Sequence, residues 1–463
     1  MSRRSDSHVV RRFFGAIALV GALAAGRPVG VAGQRPDSVP VTAAMSALPP
    51  APDSGTSVGP RLPLDTAIAR TLLNNPALVS ATGTVHTARS AERVALGAYL
   101  PAVSLNSMAG RSDQGASGSI AQPTGPQGAY GAGVSATLDL FTGGRRTAVR
   151  HETAAAARAA DAGLIFQRYA TRLLAKEGYF EVLRGHELVR VADDDLAVAE
   201  KSLSYAKARE AAGTATPSDV LRAELALSTA RRQRLAAADT LATAAAALGR
   251  LVGADGLVDA EPLATLDPTP LALADSAVLA VAVREAPAVL QAEAQVSATT
   301  AAVRASKAQY LPTIQAGAGY NWTNNSQGVT GALRQGWLIQ VGASLPLFDG
   351  FAREDSVTRA QVSAEVARAT STDTRRLSRA ESLRLLGSLH VAEQDVALTV
   401  EAVRVATEDL RVITVRYRGG IATILDQLTS QQNLVQAELD LVSARFTYQV
   451  TRATLEALLG REL

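Results

Sequence analysis

Four stretches of the chain alternate apolar with polar residues, and each alternation predicts a β-strand. The two clearest are TIQAGAGYNW from Thr313 and WLIQVGASLPLF from Trp337. YGAGVSATLDLF from Tyr130 follows the same rule, and AVSLNSMAG from Ala102 is the weakest of the four. The apolar face of the third stretch is expected to consist of Val134, Ala136, Leu138 and Leu140.

Polar, glycine-rich segments at about 113–129 and 323–334 are expected to be the loops that join the paired strands. Strands of about ten residues with one apolar face fit a membrane barrel. An ordinary soluble sheet with one buried face shows the same alternation. Aromatic residues near the predicted strand ends also fit a membrane barrel, although the strands taken alone favour the soluble sheet. The candidate membrane-interface aromatics are Tyr130, Phe141, Tyr320, Trp322, Trp337 and Phe348.

Each predicted strand pair is followed by a very long helical segment. Gly143–Gly213 and Gly350–Gly420 are 71 residues each, about 100 Å if the helix is unbroken. After Gly420, apolar residues recur in steps of three and four, which is coiled-coil spacing with one polar interruption. Two paired helices of this length are too thin for a globular core and must pack on neighbours. The expected seam consists of Leu425, Leu428, Gln432, Val435, Leu439, Val442 and Phe446.

The chain repeats its own landmarks at a nearly constant distance. NNPALV from Asn74 is echoed 211 residues later by EAPAVL from Glu285, and GTATPSDVL from Gly213 is echoed 207 residues later by GIATILDQL from Gly420. Landmarks that keep their order and spacing indicate an internal duplication. Each half is expected to contain a helix ending at Tyr-Leu-Pro, because proline ends a helix, then two strands, a long helix and a return helix.

The N-terminus reads as a targeting segment. Arginines precede the apolar run Phe13–Ala25, which has 13 residues, too few to cross a bilayer, so a secretory signal peptide is predicted. Arg11-Arg12-Phe13-Phe14 loosely resembles a twin-arginine signal, although a general secretory signal is the simpler interpretation. The predicted organisation is a signal peptide at 1–33, a disordered Pro/Ser/Gly-rich lead-in at 34–63, a first repeat at 64–253, a linker at 254–271 and a second repeat at 272–463.

Charge and composition exclude several classes of function. The net charge of +3 becomes −1 without residues 1–33, which contain five arginines and one aspartate, so the basic balance does not indicate nucleic-acid binding. The absence of cysteine excludes disulfides and thiolate metal sites. The five histidines are scattered, and no catalytic constellation, metal site or cofactor is predicted.

No apolar run elsewhere is expected to form a transmembrane helix, so if the chain enters a membrane it must do so as strands. Four strands cannot close a barrel, since the smallest membrane barrels have eight and open edges are not tolerated in lipid. Several chains would therefore share one barrel, with all helices on the side opposite the loops.

The two echoed turns carry the signature of helix restarts. Gly213 in the first half, and Gly419 and Gly420 in the second, are expected to end the long helices. Thr216 and Thr423 are candidate N-caps of the return helices. Asp219 and Asp426 follow them by three residues, which is the capping-box position.

With these landmarks in place, residues 62–463 resemble the TolC family of outer-membrane efflux proteins. The resemblance rests on Tyr-Leu-Pro at 99–101 and 310–312, on 138–144 and 345–350 at the strand-to-helix joints, and on the twin turns. It implies a homotrimer with a twelve-stranded β-barrel in the outer membrane that continues into an α-helical barrel across the periplasm. It further implies a passive duct for a tripartite pump or type I secretion, served by a periplasmic adaptor and an inner-membrane transporter.

The resemblance also assigns residues at the helix tips. Asp426 maps to the periplasmic constriction, and Tyr417 maps to a latch between neighbouring tips with Ser218 and Asp219 as partners. Two positions depart from the family pattern: Thr429 replaces a second acidic ring, and Ala422 replaces a basic latch residue.

Two other classes of protein are alternatives to a channel. A non-pore periplasmic coiled-coil scaffold or adhesin would share the helical pattern. A secreted enzyme is disfavoured because the sequence lacks a nucleophile elbow, paired metal ligands and a phosphate loop.

Overall fold

The computed structural model of the chain describes residues 58–114, 125–263, 266–271, 273–324 and 333–463. The predicted signal peptide, and the lead-in as far as residue 57, lie outside the described residues.

The elements follow the duplicated plan. In chain order they are β1 (Arg61–Leu62), α1 (Leu64–Asn74), α2 (Pro76–Gly97), β2 (Ala102–Gln114), β3 (Gly125–Thr142), α3 (Arg145–Ala211), α4 (Pro217–Val252), β4 (Asp259–Ala260), α5 (Asp275–Arg284), α6 (Pro287–Lys307), a 3₁₀ turn (Ala308–Tyr310), β5 (Thr313–Asn324), β6 (Leu333–Ser344), α7 (Ala352–Arg418) and α8 (Ile424–Leu459). The fold is mixed α and β, and apart from β1, β4 and the 3₁₀ turn the two halves contain the same elements in the same order.

The four long strands form one antiparallel sheet in the order β2-β3-β5-β6. Paired positions put apolar residues on one face, where Val134 lies opposite Tyr320 and Tyr320 lies opposite Trp337. The strands run further than predicted, because 113–114, 125–129, 323–324 and 333–334 belong to them. The loop prediction is wrong at these residues, and the rest of both predicted loops lies outside the described residues.

A β-bulge changes which residues of β3 face the apolar side. The β3–β5 register shifts between Asp139 and Phe141, so Phe141 pairs with Ile314 and Leu140 is left out of the ladder. Because Phe141 lies opposite Ile314, Phe141 joins the apolar face at this end of the strand, a residue that the predicted alternation did not include.

The long helices are confirmed, at 67 residues each. In the helical part, α3 packs against α4 and α8, and α8 packs against α7, so neighbours follow the order α4-α3-α8-α7. One prediction is wrong: each half begins with two helices before Tyr-Leu-Pro, not one. Pro76 and Pro287 start the second helix of each pair, because a proline fits the first helical turn but not the interior.

Two apolar clusters hold the helices together. The first joins α3, α4 and α8, with Phe180 and Phe446 6.4 Å apart between ring centroids. The second joins α7 and α8 around Leu389 and Tyr448. The predicted seam of α8 is correct at Val442 and Phe446, which are buried.

Near the tip, the single chain leaves part of the predicted seam uncovered. Leu425 and Gln432 are exposed, and Leu425 lies along an open groove between α4 and α8. The heptad pattern predicts an apolar stripe on α8 but does not identify the helix that packs against it. The side chains that α8 buries there are Ile424, Gln427, Ser430 and Gln431.

The end of the predicted lead-in is folded. Residues 61–62 pair in parallel with β4 in the predicted linker. The fully buried carboxylate of Asp259 lies 2.5 Å from Nε2 of His186 on α3. It also accepts a hydrogen bond from the backbone N–H of Ala260. These contacts tie both segments to the first long helix, so disorder through residue 63 is a wrong prediction.

One helix, Pro217–Val252, is long and apolar enough by composition to cross a membrane, which the sequence reasoning did not expect. Its apolar side packs against α3, where Leu241 and Leu248 join the first cluster. This packing is that of an amphipathic helix in a helical assembly.

Candidate functional site

The two hairpin tips have the same backbone turn. Gly213 and Gly420 have φ of 72° and 78°, and each donates to a carbonyl of the last helical turn. The next residue donates to the carbonyl five positions back, at 2.8 Å in the first tip and 2.9 Å in the second. This is a Schellman motif, which needs a left-handed residue and so favours glycine. Gly419 has φ of −75°, so its backbone does not require glycine.

Both return helices begin with a complete capping box. Thr216 Oγ1 accepts from the Asp219 N–H, and the Asp219 carboxylate accepts from the Thr216 N–H at 2.9 Å. In the second tip, Asp426 accepts from the Thr423 N–H and hydroxyl, both at 2.8 Å. Hydrogen bonds from the backbone of Thr216 and Thr423 lower the pKa of Asp219 and of Asp426. The capping prediction is confirmed for both aspartates.

Tyr417, the predicted latch residue, is buried between the two tips. It is 1% exposed, and the guanidinium of Arg209 on α3 lies 4.6 Å from the centre of its ring. Arg209 also donates to the Tyr417 carbonyl at 2.9 Å and to the Thr214 carbonyl at 3.0 Å. Burial is the main reason that the pKa of the Tyr417 hydroxyl is raised. Arg209 therefore binds the end of α7 and the turn of its own hairpin.

A second arginine makes the reverse contact. Arg418 on α7 lies over the ring of Tyr205 on α3, 4.2 Å from its centre, and its guanidinium contacts the Tyr205 hydroxyl. Each long helix thus contributes one arginine and one tyrosine. We call Arg209, Tyr417, Arg418 and Tyr205 the Arg–Tyr clamp.

The other predicted latch residues, Ser218 and Asp219, make less direct contact with Tyr417. Ser218 is exposed, and Asp219 is engaged in its capping box. Asp219 still lies close enough to Arg209 for that charge to contribute to its lowered pKa. Within one chain, the partner that Tyr417 contacts most directly is Arg209, which the sequence reasoning missed.

The two departures from the family pattern have different structural settings. Ala422 is buried with Tyr417 and Ile424 in a small apolar cluster, where burying a charged side chain would cost free energy. Thr429 is exposed on α8, as is Asp426.

A buried polar contact joins the two hairpins above the tips and was also missed. Gln427 donates to Ser202 at 3.1 Å, and Gln431 donates to the Asp195 carboxylate at 2.6 Å. Both glutamines are at most 5% exposed. Burial raises the pKa of Asp195. The cluster TSQQN in the sequence was a usable signal, since it interrupts the apolar stripe of α8.

The predicted interface aromatics occupy both ends of the sheet. Tyr130 and Phe141 are eleven residues apart on β3, about 36 Å along the strand and about 28 Å along an axis to which the strand is tilted by about 40°. Membrane barrels have an apolar band about 25 Å tall between aromatic girdles. Tyr320, Trp322 and Trp337 lie inside their strands near the loop end, and Phe348 lies beyond the end of β6.

Within the described ranges, no group of three or more His, Cys, Asp or Glu residues is placed to hold a metal ion.

Comparisons with known proteins agree on one family. The outer membrane efflux protein family matches residues 67–254 and 278–461, one match for each repeat. Protein CyaE of Bordetella pertussis is 31% identical over 385 residues, covering 80% of this chain and 78% of the relative. The toluene efflux pump outer membrane protein TtgC of Pseudomonas putida is 26% identical, covering 86% and 82%.

Solved structures share the fold. CusC superposes with a TM-score of 0.74 at 17% identity, covering 86% of this chain and 92% of the other. VceC of Vibrio cholerae superposes with a TM-score of 0.72 at 21% identity, covering 86% and 96%. The family match to both repeats and the sequence identity along most of the chain place the protein in the outer membrane, extending into the periplasm. The chain therefore belongs to the outer membrane efflux protein family, and it is part of an exit duct through the outer membrane.

Proposed function

We propose that three copies of the chain close one twelve-stranded barrel in the outer membrane and continue as an α-helical barrel across the periplasm. The observation that carries this proposal is the sheet, whose apolar face is exposed in the single chain: Leu105, Trp337 and Ile339 are 77%, 74% and 71% exposed. Lipid would cover this face, as it covers the outer face of membrane barrels.

The sheet also has two open edges, β2 and β6. Because the four strands alternate in direction, β6 of one copy would pair antiparallel with β2 of the next. Such head-to-tail contacts close into a ring. Two copies would give eight strands, whose interior is just wide enough for side chains, whereas twelve leave a lumen.

The polar face of the sheet would line that lumen. It carries Thr137, Asp139, Gln315 and Gln340, with Gln315 donating to Asp139 at 3.1 Å. Energy and cargo selection would come from outside the chain. The proposed partners are a periplasmic adaptor and an inner-membrane transporter, in a tripartite efflux pump or a type I secretion system.

The helical tips would form the gate. Asp426 is exposed near the end of the second hairpin, so three copies around one axis would form an acidic ring that attracts cations. Capping does not conflict with this role, because the carboxylate stays ionised and accessible. The Arg–Tyr clamp would hold each pair of hairpins in the closed arrangement.

Planar-bilayer recording together with native mass measurement in detergent tests the proposal. We expect a particle of three chains that conducts single-channel currents. A periplasmic scaffold or adhesin would be extracted without detergent and would give no channels, and that result would overturn the proposed function.

A further inference from the structure

The turn between β6 and α7 holds a strained residue. Phe351 has φ of 69° and ψ of 14°, and among the described residues it is the one non-glycine with positive φ. The left-handed region is unfavourable for a bulky side chain. Such outliers persist where something compensates for them.

The duplication provides an internal comparison. Phe351 lies 207 residues after Gly144, which has φ of 84°, and Gly350 lies 207 residues after Gly143. The first repeat therefore makes the same turn with two glycines. The backbone does not require phenylalanine at this position, and glycine would relieve the strain.

The turn itself is held rigidly. Arg353 is 9% exposed, pairs with Asp349 at 2.9 Å and donates to the Pro346 carbonyl at 2.8 Å. Its guanidinium lies 5.0 Å from the centre of the Tyr310 ring. Arg146 makes the matching contact with Tyr99 in the first repeat. The strained residue is thus presented on a rigid base that both repeats share.

The Phe351 side chain gains little from its own chain. Its ring is 69% exposed and meets edge-on the ring of Phe348, which is 76% exposed, at 5.7 Å between centroids. Leu347 beside them is 87% exposed. The compensation for the strain must therefore come from outside the chain.

The position of the pair indicates what covers it. The exposed apolar face of β6 continues through Val341 and Ala343, and Leu345 and Leu347 extend the exposed apolar surface to the aromatic pair. Glu354 and Asp355 follow at once in the first turn of α7. Aromatic rings favour such a boundary between acyl chains and water.

We infer that Phe351, with Phe348, is a lipid anchor at the helix-side boundary of the membrane, in contact with phospholipid near its headgroup. The inference rests on the proposed function. In a trimer, three rigid turns would hold the barrel at one depth. The second repeat would provide this anchor and the first repeat, with Gly144, would not.

Tryptophan fluorescence tests the contact. The two natural tryptophans are replaced in a Trp322→Phe/Trp337→Phe background, to which Phe351→Trp or the control Ile339→Trp is added. The protein is reconstituted in phosphatidylcholine vesicles brominated either near the ester end or near the methyl end of the acyl chains. We expect Phe351→Trp to be quenched more by bromine near the ester end, and Ile339→Trp to be quenched more by bromine near the methyl end.

The other outcomes separate the alternatives. Quenching of Phe351→Trp by aqueous acrylamide alone means contact with water, and protection from every quencher means that a second copy covers it; either result overturns the anchor. If Ile339→Trp also escapes brominated lipid, the proposed function fails as well. Phe351→Gly gives an independent readout: we expect a higher unfolding temperature in detergent but less insertion into vesicles, whereas a purely structural phenylalanine would lower both.

Discussion

The Arg–Tyr clamp gives a prediction with a definite size. In Arg209→Gln the side chain keeps its polarity but loses its charge, its stacking on Tyr417 and its hydrogen bond of 2.9 Å to the Tyr417 carbonyl. A partly exposed cation–π contact contributes about 1 kcal/mol, and a hydrogen bond from a charged donor contributes about 1.5 kcal/mol. The free energy of opening the tip should therefore fall by about 2.5 kcal/mol, which raises the open population about 60-fold.

Hydrogen–deuterium exchange measures this opening directly. Amides at 205–214 and 415–424 should exchange about 60-fold faster in Arg209→Gln. Tyr417→Leu keeps an apolar side chain but removes the ring, and the double variant should fall short of the sum of the single effects by about 1 kcal/mol, or about fivefold. Single-channel conductance of the same variants should rise if the tips are the gate.

A matched control removes an arginine charge from the exposed surface of the other long helix, α7. Arg404 pairs with Glu401 on the exposed side of α7, and surface pairs of this kind contribute little. Arg404→Gln should leave tip exchange unchanged. Additive effects of Arg209→Gln and Tyr417→Leu, or equal effects of the control, would refute the clamp.

Three further predictions concern the same turns. Asp426→Ala and Asp219→Ala remove equivalent caps, so both should speed amide exchange at their tips. Only Asp426→Ala should raise conductance or abolish block by multivalent cations. An unchanged single-channel record for Asp426→Ala would rule out the gate role. Gly420→Ala should destabilise its tip by about 1 kcal/mol because of its positive φ, whereas Gly419→Ala should be tolerated, and equal melting temperatures would contradict this. Folding lowers the pKa of both aspartates, so their caps stabilise the tips fully above the unfolded pKa of about 3.9. This stabilisation is lost as the pH falls through the folded pKa values. Thr423→Ala should weaken this acid sensitivity, which amide exchange between neutral and acidic pH measures.

Much of the architecture could be predicted because its causes are local. A strand alternates with period two, a capping box spans three residues, and a glycine is favoured wherever the chain turns left-handed. The echoed segments at Gly213 and Gly420 then showed that the same local rules apply twice. The two-helix start of each half was missed although Pro76 and Pro287 carried the signal.

Other features depend on residues that lie far apart in the chain. Arg209 and Tyr417 are 208 residues apart, and Gln431 and Asp195 are 236 apart, so neither pairing has a sequence signature. The bulge beside Leu140 arises from the register of β3 against β5, and it moves Phe141 to the apolar face.

Residue types and spacing alone were thus enough to predict the duplication, the strands, the helices and their caps, because a repeated segment, a period of two or about 3.6 and a capping box are all visible in short stretches of sequence. Packing between segments decided which face of α8 is buried and which arginine covers Tyr417. A periodic stripe shows that a surface will be covered, but the covering partner depends on the arrangement of the whole chain.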